Sequence, residues 1–141
     1  MVDRPPPSRA KPLSGIRVLV VEDHADCRNA LRILLQSNGA EVRGAASVGE
    51  ARVAFARLRP HVLISDLSLP GEDGFSLLAS VRALRPEEGS DTPAVAFSAL
   101  SPVRAQVRAR EAGFQVFLRK PGDVLQIVPT VVRLLSRAFA P

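Results

Sequence analysis

A doubly wound α/β fold, one parallel sheet with helices on both faces, is the architecture this sequence predicts. Five short apolar runs alternate with five amphipathic stretches between Ile16 and Ala138. The runs are too short for buried helices, and their unbroken Val, Leu, Ile and Ala content is that of strands covered on both sides. A chain of 141 residues, 46% hydrophobic and 23% charged, suits one ordinary domain.

The elements follow in order. Ile16 to Val21 reads as the first buried strand, ending at Glu22 and Asp23. Cys27, Leu31, Leu34 and Leu35 then recur at helical spacing, and Gly39 stands where that helix should stop. Val42 opens a second strand. Ser47 and Glu50 form a capping-box pattern for a helix carrying Ala51, Ala54, Phe55 and Leu58, closed by Pro60. Val62 to Ile64 is the third strand and ends at Asp66. A turn over residues 69–74 leads into a helix bearing Leu77, Leu78, Val81 and Leu84. Ala94 to Phe97 is the fourth strand. Ser101 and Pro102 fit an N-cap followed by Pro at the first helical position. Val116 to Arg119 is the last strand, and Asp123 is placed to cap a final helix running to about Ala138. Pro129 conflicts with that helix because it lacks a backbone donor, so either a kink or a start near Val128 is expected. Helical crossovers between parallel strands are right-handed, which leaves a doubly wound sheet.

Residues 1–14 are Pro-rich, without apolar periodicity, and read as a flexible tail before a domain at 15–141. The single cysteine, Cys27, has no internal partner, which fits a reducing compartment. Neither a secretory signal nor an apolar run of spanning length is present, so a cytoplasmic location without membrane contact is expected. The net charge of +5 raises nucleic acid as a partner. Only Lys11 and Lys120 are lysines, however, and the arginines are scattered, so that partner is not favoured.

In such a sheet, functional groups collect beyond the carboxyl ends of the strands. Those ends carry Glu22 and Asp23, then Asp66, then Ser98, then Lys120. Three carboxylates in one cleft repel each other and call for a cation. Oxygen-only ligands, with no His or Cys nearby, suit magnesium. On this reading His24 and His61 are surface or packing residues and Cys27 belongs to the core. A carboxylate, a divalent ion, an ammonium and a hydroxyl make a phosphoryl-transfer site. Asp66 is its natural nucleophile. It is already ionised at neutral pH, so no general base is required.

Val-Leu-Val-Val-Glu-Asp at 18–23, Leu-Ile-Ser-Asp-Leu-Ser-Leu-Pro-Gly-Glu-Asp-Gly at 63–74, Phe-Ser-Ala at 97–99 and Lys120-Pro121 resemble bacterial response-regulator receivers. The resemblance spans nearly everything from Ile16 to Phe139. It implies a flavodoxin-like five-stranded sheet of order 2-1-3-4-5. Asp66 becomes the phosphoacceptor and a ligand of Mg2+ or Mn2+. Asp23 ligates directly, Glu22 through water, and the Ser68 backbone carbonyl completes the set. Ser98 is the switch hydroxyl, Ala99 leaves access, Lys120 pairs with a phosphoryl oxygen, Phe117 moves with the switch, and Pro121 follows a cis peptide bond.

The same resemblance implies a histidine kinase or histidine phosphotransfer protein as donor, and no enzymatic activity beyond self-phosphorylation and its reversal. It also implies a partner face, for a homodimer or an effector, on the last two helices and last strand. That face carries Arg104, Arg108, Arg110, Arg119, Arg133 and Arg137. With no output domain expected after the last helix, the chain is either a stand-alone regulator or the receiver of a hybrid sensor kinase, and the latter is the closer resemblance.

Three competing functions fit less well. An aspartyl-nucleophile phosphatase of the haloacid dehalogenase type wants a second Asp at position 68, where Ser stands. A flavin module wants a Gly/Ser/Thr-rich turn after the first strand, where this chain is acidic. A DNA-binding regulator wants a helix-turn-helix, and none follows the last unit.

Overall fold

The computed structural model describes residues 11–99 and 102–138. Met1 to Ala10, Leu100, Ser101 and the last three residues, and with them the proposed Ser101 cap and most of the Pro-rich tail, lie outside the described residues. The strands are β1 Arg17–Val21, β2 Glu41–Ala45, β3 Val62–Ser65, β4 Ala94–Ser98 and β5 Val116–Arg119. The helices are α1 Ala25–Ser37, α2 Val48–Leu58, α3 Gly74–Arg82, α4 Pro102–Ala112 and α5 Ile127–Ala138. All strand pairs are parallel, and the order is β2-β1-β3-β4-β5, as the sequence reading expects.

Period-two alternation sends strand side chains into two apolar layers. Leu19, Val21, Leu63, Ala94 and Ala96 pack under α2, α3 and α4. Val18, Val20, Val62, Ile64, Val95 and Phe97 pack under α1 and α5. Small alanines on β4 face one layer while Phe97 fills the other, and the aromatics of the core are Phe alone: Phe55, Phe75, Phe97 and Phe114. Among the described residues no helix is long and apolar enough to cross a membrane.

Several local expectations need correction. Leu13, assigned above to the tail, is fully buried and its N–H donates to the Asn38 carbonyl at 2.8 Å. Residues 11–14 therefore belong to the packed unit. Asp123 caps no helix; its carboxylate accepts the Arg119 N–H at 2.9 Å, and a 3-10 turn intervenes before α5. For Pro129 the second expected alternative holds: α5 starts at Ile127, one residue from Val128, so Pro129 falls in its first turn, where its missing donor has no intrahelical partner to lose. Ser47 caps α2 as expected, but the Glu50 carboxylate accepts from Ala46 N–H.

His61 is a structural acceptor. Its Nδ1 takes the Arg17 N–H at 2.9 Å while its own N–H donates to the Arg17 carbonyl at 2.8 Å. Burial, and then the Arg17 charge, lower its pKa below the usual histidine value. The fold thus favours the neutral ring. That contribution is complete above the unfolded pKa, near 6.5, and is lost as pH falls through the folded value. His61→Asn is expected to cost on the order of 1 kcal/mol at pH 7 and to flatten the stability slope below that pH. Urea midpoints measured from pH 7 to pH 5 check this, and parallel slopes for both proteins would refute it.

Candidate functional site

Backbone hydrogen bonds just past the ladders tie the carboxyl ends of the strands together. Glu22 N–H donates to Ala45 O at 2.9 Å, Asp66 N–H to Val21 O at 2.9 Å, and Lys120 N–H to Ser98 O at 3.0 Å. The residue after each strand is thereby held beside its neighbour, which is how distant segments build one rim. The Arg28 guanidinium grips the turn from behind, donating to the Glu22 carbonyl at 2.7 Å.

Lys120 is the centre of the constellation. Its Nζ donates to Asp66 Oδ2 at 2.8 Å and also to Glu22 Oε1. The side chains of Lys120, Asp66 and Glu22 are 17%, 8% and 2% exposed, so these charges meet with little water between them. The second Asp66 oxygen, Oδ1, accepts the Ser68 N–H at 3.1 Å. Burial pushes the Glu22 carboxyl upward, but hydrogen bonds from Lys120, the His24 N–H and the Cys27 thiol outweigh it and hold the pKa at about 2. Burial lowers the Lys120 pKa, and bonding to Asp66 and Glu22 overcomes this and raises it above its ordinary value.

Ser98 is buried at the end of β4, and with Ala99 it lines an open cleft of about 780 Å3 that also holds Asp23, Asp66, Ser68 and Lys120. Lys120 Nζ lies 5.9 Å from the Phe97 ring centroid. The Lys120–Pro121 peptide bond is cis. Phe117, paired in register with Ala96, is half-buried against the layer beneath α2, α3 and α4. A smaller cavity of about 230 Å3 between α2 and α3, walled by Phe55, Ala56, Val81 and Leu84, lies away from this chemistry.

Asp23 supplies a fit test for a cation. Its Oδ1 is buried and accepts no hydrogen bond among the described residues. Three carboxylates facing one ammonium leave two surplus negative charges, those one divalent ion neutralises. The residues fit such an ion. One expectation, however, is overturned. His24 and Cys27 are not remote from the acids; both line the cleft. The reason is geometric: α1 begins at Ala25, directly above the end of β1, so the residues of its N-terminus and first turn face the rim. His24 Nδ1 lies 3.4 Å from Glu22 Oε2 and 3.5 Å from Asp23 Oδ1. Cys27 is only half-buried, and burial and its bond to Glu22 raise its thiol pKa to about 11.

Of the arginines assigned to a partner face, Arg104, Arg108, Arg110, Arg119 and Arg133 are exposed, while the Arg137 side chain lies outside the described residues. Arg108 is engaged internally, 4.0 Å above the Phe75 ring and 3.8 Å from Asp73.

The family model described as the response regulator receiver domain matches residues 18–132. An uncharacterised 14.6 kDa protein of Leptolyngbya boryana is 36% identical over 129 residues, covering 92% of this chain and 96% of that protein. The transcriptional regulatory protein PrrA of Mycobacterium leprae is 34% identical over 128 residues, which are 91% of this chain but 53% of PrrA. The chain thus spans about half the length of that regulator. Among solved structures, the signal receiver domain of a signal transduction histidine kinase from Syntrophus aciditrophicus superposes with a TM-score of 0.79. It is 28% identical, over 90% of this chain and 95% of that one.

Proposed function

The chain belongs to the response regulator receiver domain family, and from that premise we propose that Asp66 is its phosphoacceptor. Receivers of this family typically signal rather than catalyse, typically bind Mg2+, and in general take part in two-component systems with a histidine kinase. The observation that carries the assignment to Asp66 is the shared ammonium. Lys120 grips the Asp66 carboxylate and Glu22 together at the mouth of an open cleft.

A carboxylate oxygen of Asp66 attacks the phosphorus of a phosphohistidine on the kinase or phosphotransfer protein. The new phosphorus–oxygen bond forms as the phosphorus–nitrogen bond breaks, and the electron pair returns to the imidazole. Asp66 has no proton to lose, so the protein's task is positioning and charge neutralisation. Lys120 stays within reach of a developing phosphoryl oxygen. Glu22, Asp23, Asp66 and the Ser68 carbonyl would hold Mg2+ or Mn2+, which when bound supplies the positive charge the phosphoryl group requires. Ser98, with the small Ala99 beside it, is the hydroxyl that turns toward the phosphoryl group, and Phe117 follows it. The receiver unit comprises residues 15–141 with residues 11–14 packed onto it. Its output face includes the exposed Arg110, Arg119 and Arg133. The likeness to the Syntrophus kinase receiver supports a hybrid-kinase context.

The experiment is incubation of the purified protein with Mg2+ and acetyl phosphate, followed by intact-mass measurement and borohydride trapping. One phosphoryl adduct is expected, abolished by chelator, with the trapped residue mapping to Asp66. An adduct on another residue, or none, would sink the assignment.

A further inference from the structure

We propose that Arg28 and Gly44 form a positioning pair for the acidic turn after β1. Gly44 leaves the gap through which the Arg28 stem passes, and the guanidinium fixes the backbone of Glu22 and Asp23. Arg28 is thus a positioning residue that touches neither the cation nor the phosphoryl group. The inference rests on the functional reading above, because it takes that turn as the holder of the cation.

Two local oddities point to it. The first is Gly44, the fourth of the 5 residues of β2. Glycine weakens a strand interior and is kept there for an unusual backbone angle or for a close approach. The backbone here is ordinary strand, paired opposite Val20, with no positive φ to require glycine. Close approach is the cause instead: a Cβ at position 44 would stand 3.1 Å from Arg28 Cδ and 3.2 Å from its Cγ. The second oddity is Arg28, half-buried, with its guanidinium turned onto main chain. Its Nη1 donates to the Glu22 carbonyl at 2.7 Å and reaches the Asp23 carbonyl at 3.4 Å.

Each oddity explains the other. Arg28 is the fourth residue of α1, and its N–H donates to the His24 carbonyl at 2.9 Å. Helical side chains lean toward the N-terminus of their helix, so the stem runs back over the turn that it holds. On the other side, the residue after Gly44 supplies the Ala45 carbonyl that takes the Glu22 N–H at 2.9 Å. Glu22 is therefore anchored through its N–H by β2 and through its carbonyl by α1. The peptide joining it to Asp23 cannot rotate without breaking the bond to Arg28. A side chain at position 44 would push that second anchor aside.

The consequence is preorganisation. Glu22, Asp23 and Asp66 repel one another, which favours any turn that swings their carboxylates apart. An anchor on the backbone resists this and occupies none of the carboxylate oxygens, which remain for Lys120 and the ion. Charge alone predicts the reverse, since deleting a positive group beside a cation site should strengthen cation binding. The sign of the effect separates positioning from electrostatics.

The test measures Mn2+ affinity from the EPR signal of the free ion, without phosphodonor, beside thermal unfolding in chelator. Arg28→Met keeps the stem and deletes the guanidinium, and it should weaken Mn2+ binding about tenfold. Gly44→Ala shifts the guanidinium without deleting it and should weaken binding about threefold, although alanine ordinarily strengthens a strand that held glycine. Added to Arg28→Met, Gly44→Ala should cost no further affinity. Arg17→Met is the control for a purely structural arginine. Arg17 donates to the Leu58 and Arg59 carbonyls at 2.9 and 2.8 Å from the opposite end of β1, so this variant should lose stability and keep wild-type affinity. Unchanged or tighter Mn2+ binding in Arg28→Met would overturn the proposal, as would a Gly44→Ala loss that persists without the guanidinium. Should Arg28→Met fail to fold, Gly44→Ala decides: wild-type affinity there overturns the pairing. The Mg2+-dependent adduct on wild-type Asp66 is scored separately. A wild type that takes up neither Mn2+ nor phosphate sinks both readings, whereas intact wild-type chemistry with an indifferent Arg28→Met sinks this one alone.

Discussion

Lys120→Met is expected to cost about 3 kcal/mol of stability at pH 7 in metal-free protein and to slow phosphoryl uptake roughly a hundredfold. Glu22 and Asp66 are almost fully buried, and Lys120 is the ammonium both of them touch. Methionine fills a similar volume, so the loss is one of charge rather than of packing. Removing one partner of a buried ionic cluster leaves carboxylates desolvated and facing each other, the costly case. The pH dependence fixes the sign. In the wild type Glu22 is held near 2, below its ordinary 4.5. A depressed carboxyl contributes stability that is complete above the unfolded pKa and disappears as pH falls toward 2, on the order of 3 kcal/mol. Lys120, raised by the same pair, contributes stability below its ordinary pKa that is lost only as pH rises through its folded value. Without the ammonium, burial is opposed only by the hydrogen bonds from the His24 N–H and the Cys27 thiol, the Lys120 contribution to holding Glu22 down is lost, and the variant should lose stability as pH rises through the neutral range. Urea unfolding from pH 2 to pH 8 in chelator would reveal the inversion. A variant with the wild-type profile would show that the cluster is not coupled as described.

How much of this was legible in the residues depends on the range of each cause. The alternation of apolar runs gave every strand to within about a residue, because strand burial on both faces leaves an unbroken signature. The rim was legible too, since a parallel sheet must bring Glu22, Asp66, Ser98 and Lys120 to one edge whatever the loops do. What escaped was the turn after β1. His24 and Cys27 line the cleft, yet the apolar spacing of α1 carries no sign of it. Where a helix begins decides which way its first turn points, and boundaries are the weakest part of any sequence reading. The signal was present: His24 directly follows an acidic pair already assigned to a cation. Arg82 escaped for another reason. Its guanidinium donates to the carbonyls of Ser90, Thr92 and Gly113 at 2.7–2.8 Å, clamping the segments before β4 and β5 onto α3. Backbone carbonyls carry no side-chain identity, so no pattern in the chain announces such partners.

Gly74→Ala is expected to destabilise the protein by roughly 3 kcal/mol and to displace Asp66. Alanine at the start of a helix ordinarily gains up to about 1 kcal/mol over glycine, so the intrinsic preference has the opposite sign. Here the added methyl carbon would stand 2.3 Å from the Asp66 carbonyl oxygen and 2.9 Å from Leu67 Cα. Both are backbone atoms with little freedom to yield. The Asp66 carbonyl is held by the Ser65 hydroxyl at 2.7 Å, and Gly74 N–H closes the loop onto Leu67 O at 3.0 Å. Relief therefore requires either that α3 withdraw from the end of β3 or that Asp66 move off Lys120. Two sibling substitutions separate this contact from loss of chain flexibility. Gly122→Ala meets nothing within 4 Å and should be nearly neutral. Gly71→Ala also meets nothing, but its φ of +78° should cost about 1–2 kcal/mol. Thermal unfolding of the three variants, with phosphoryl uptake measured beside it, should rank Gly74 far above Gly71 and Gly122. If Gly74→Ala instead melts with the wild type and accepts phosphate at the same rate, the close approach of α3 to the phosphoacceptor loop does not hold Asp66 in place.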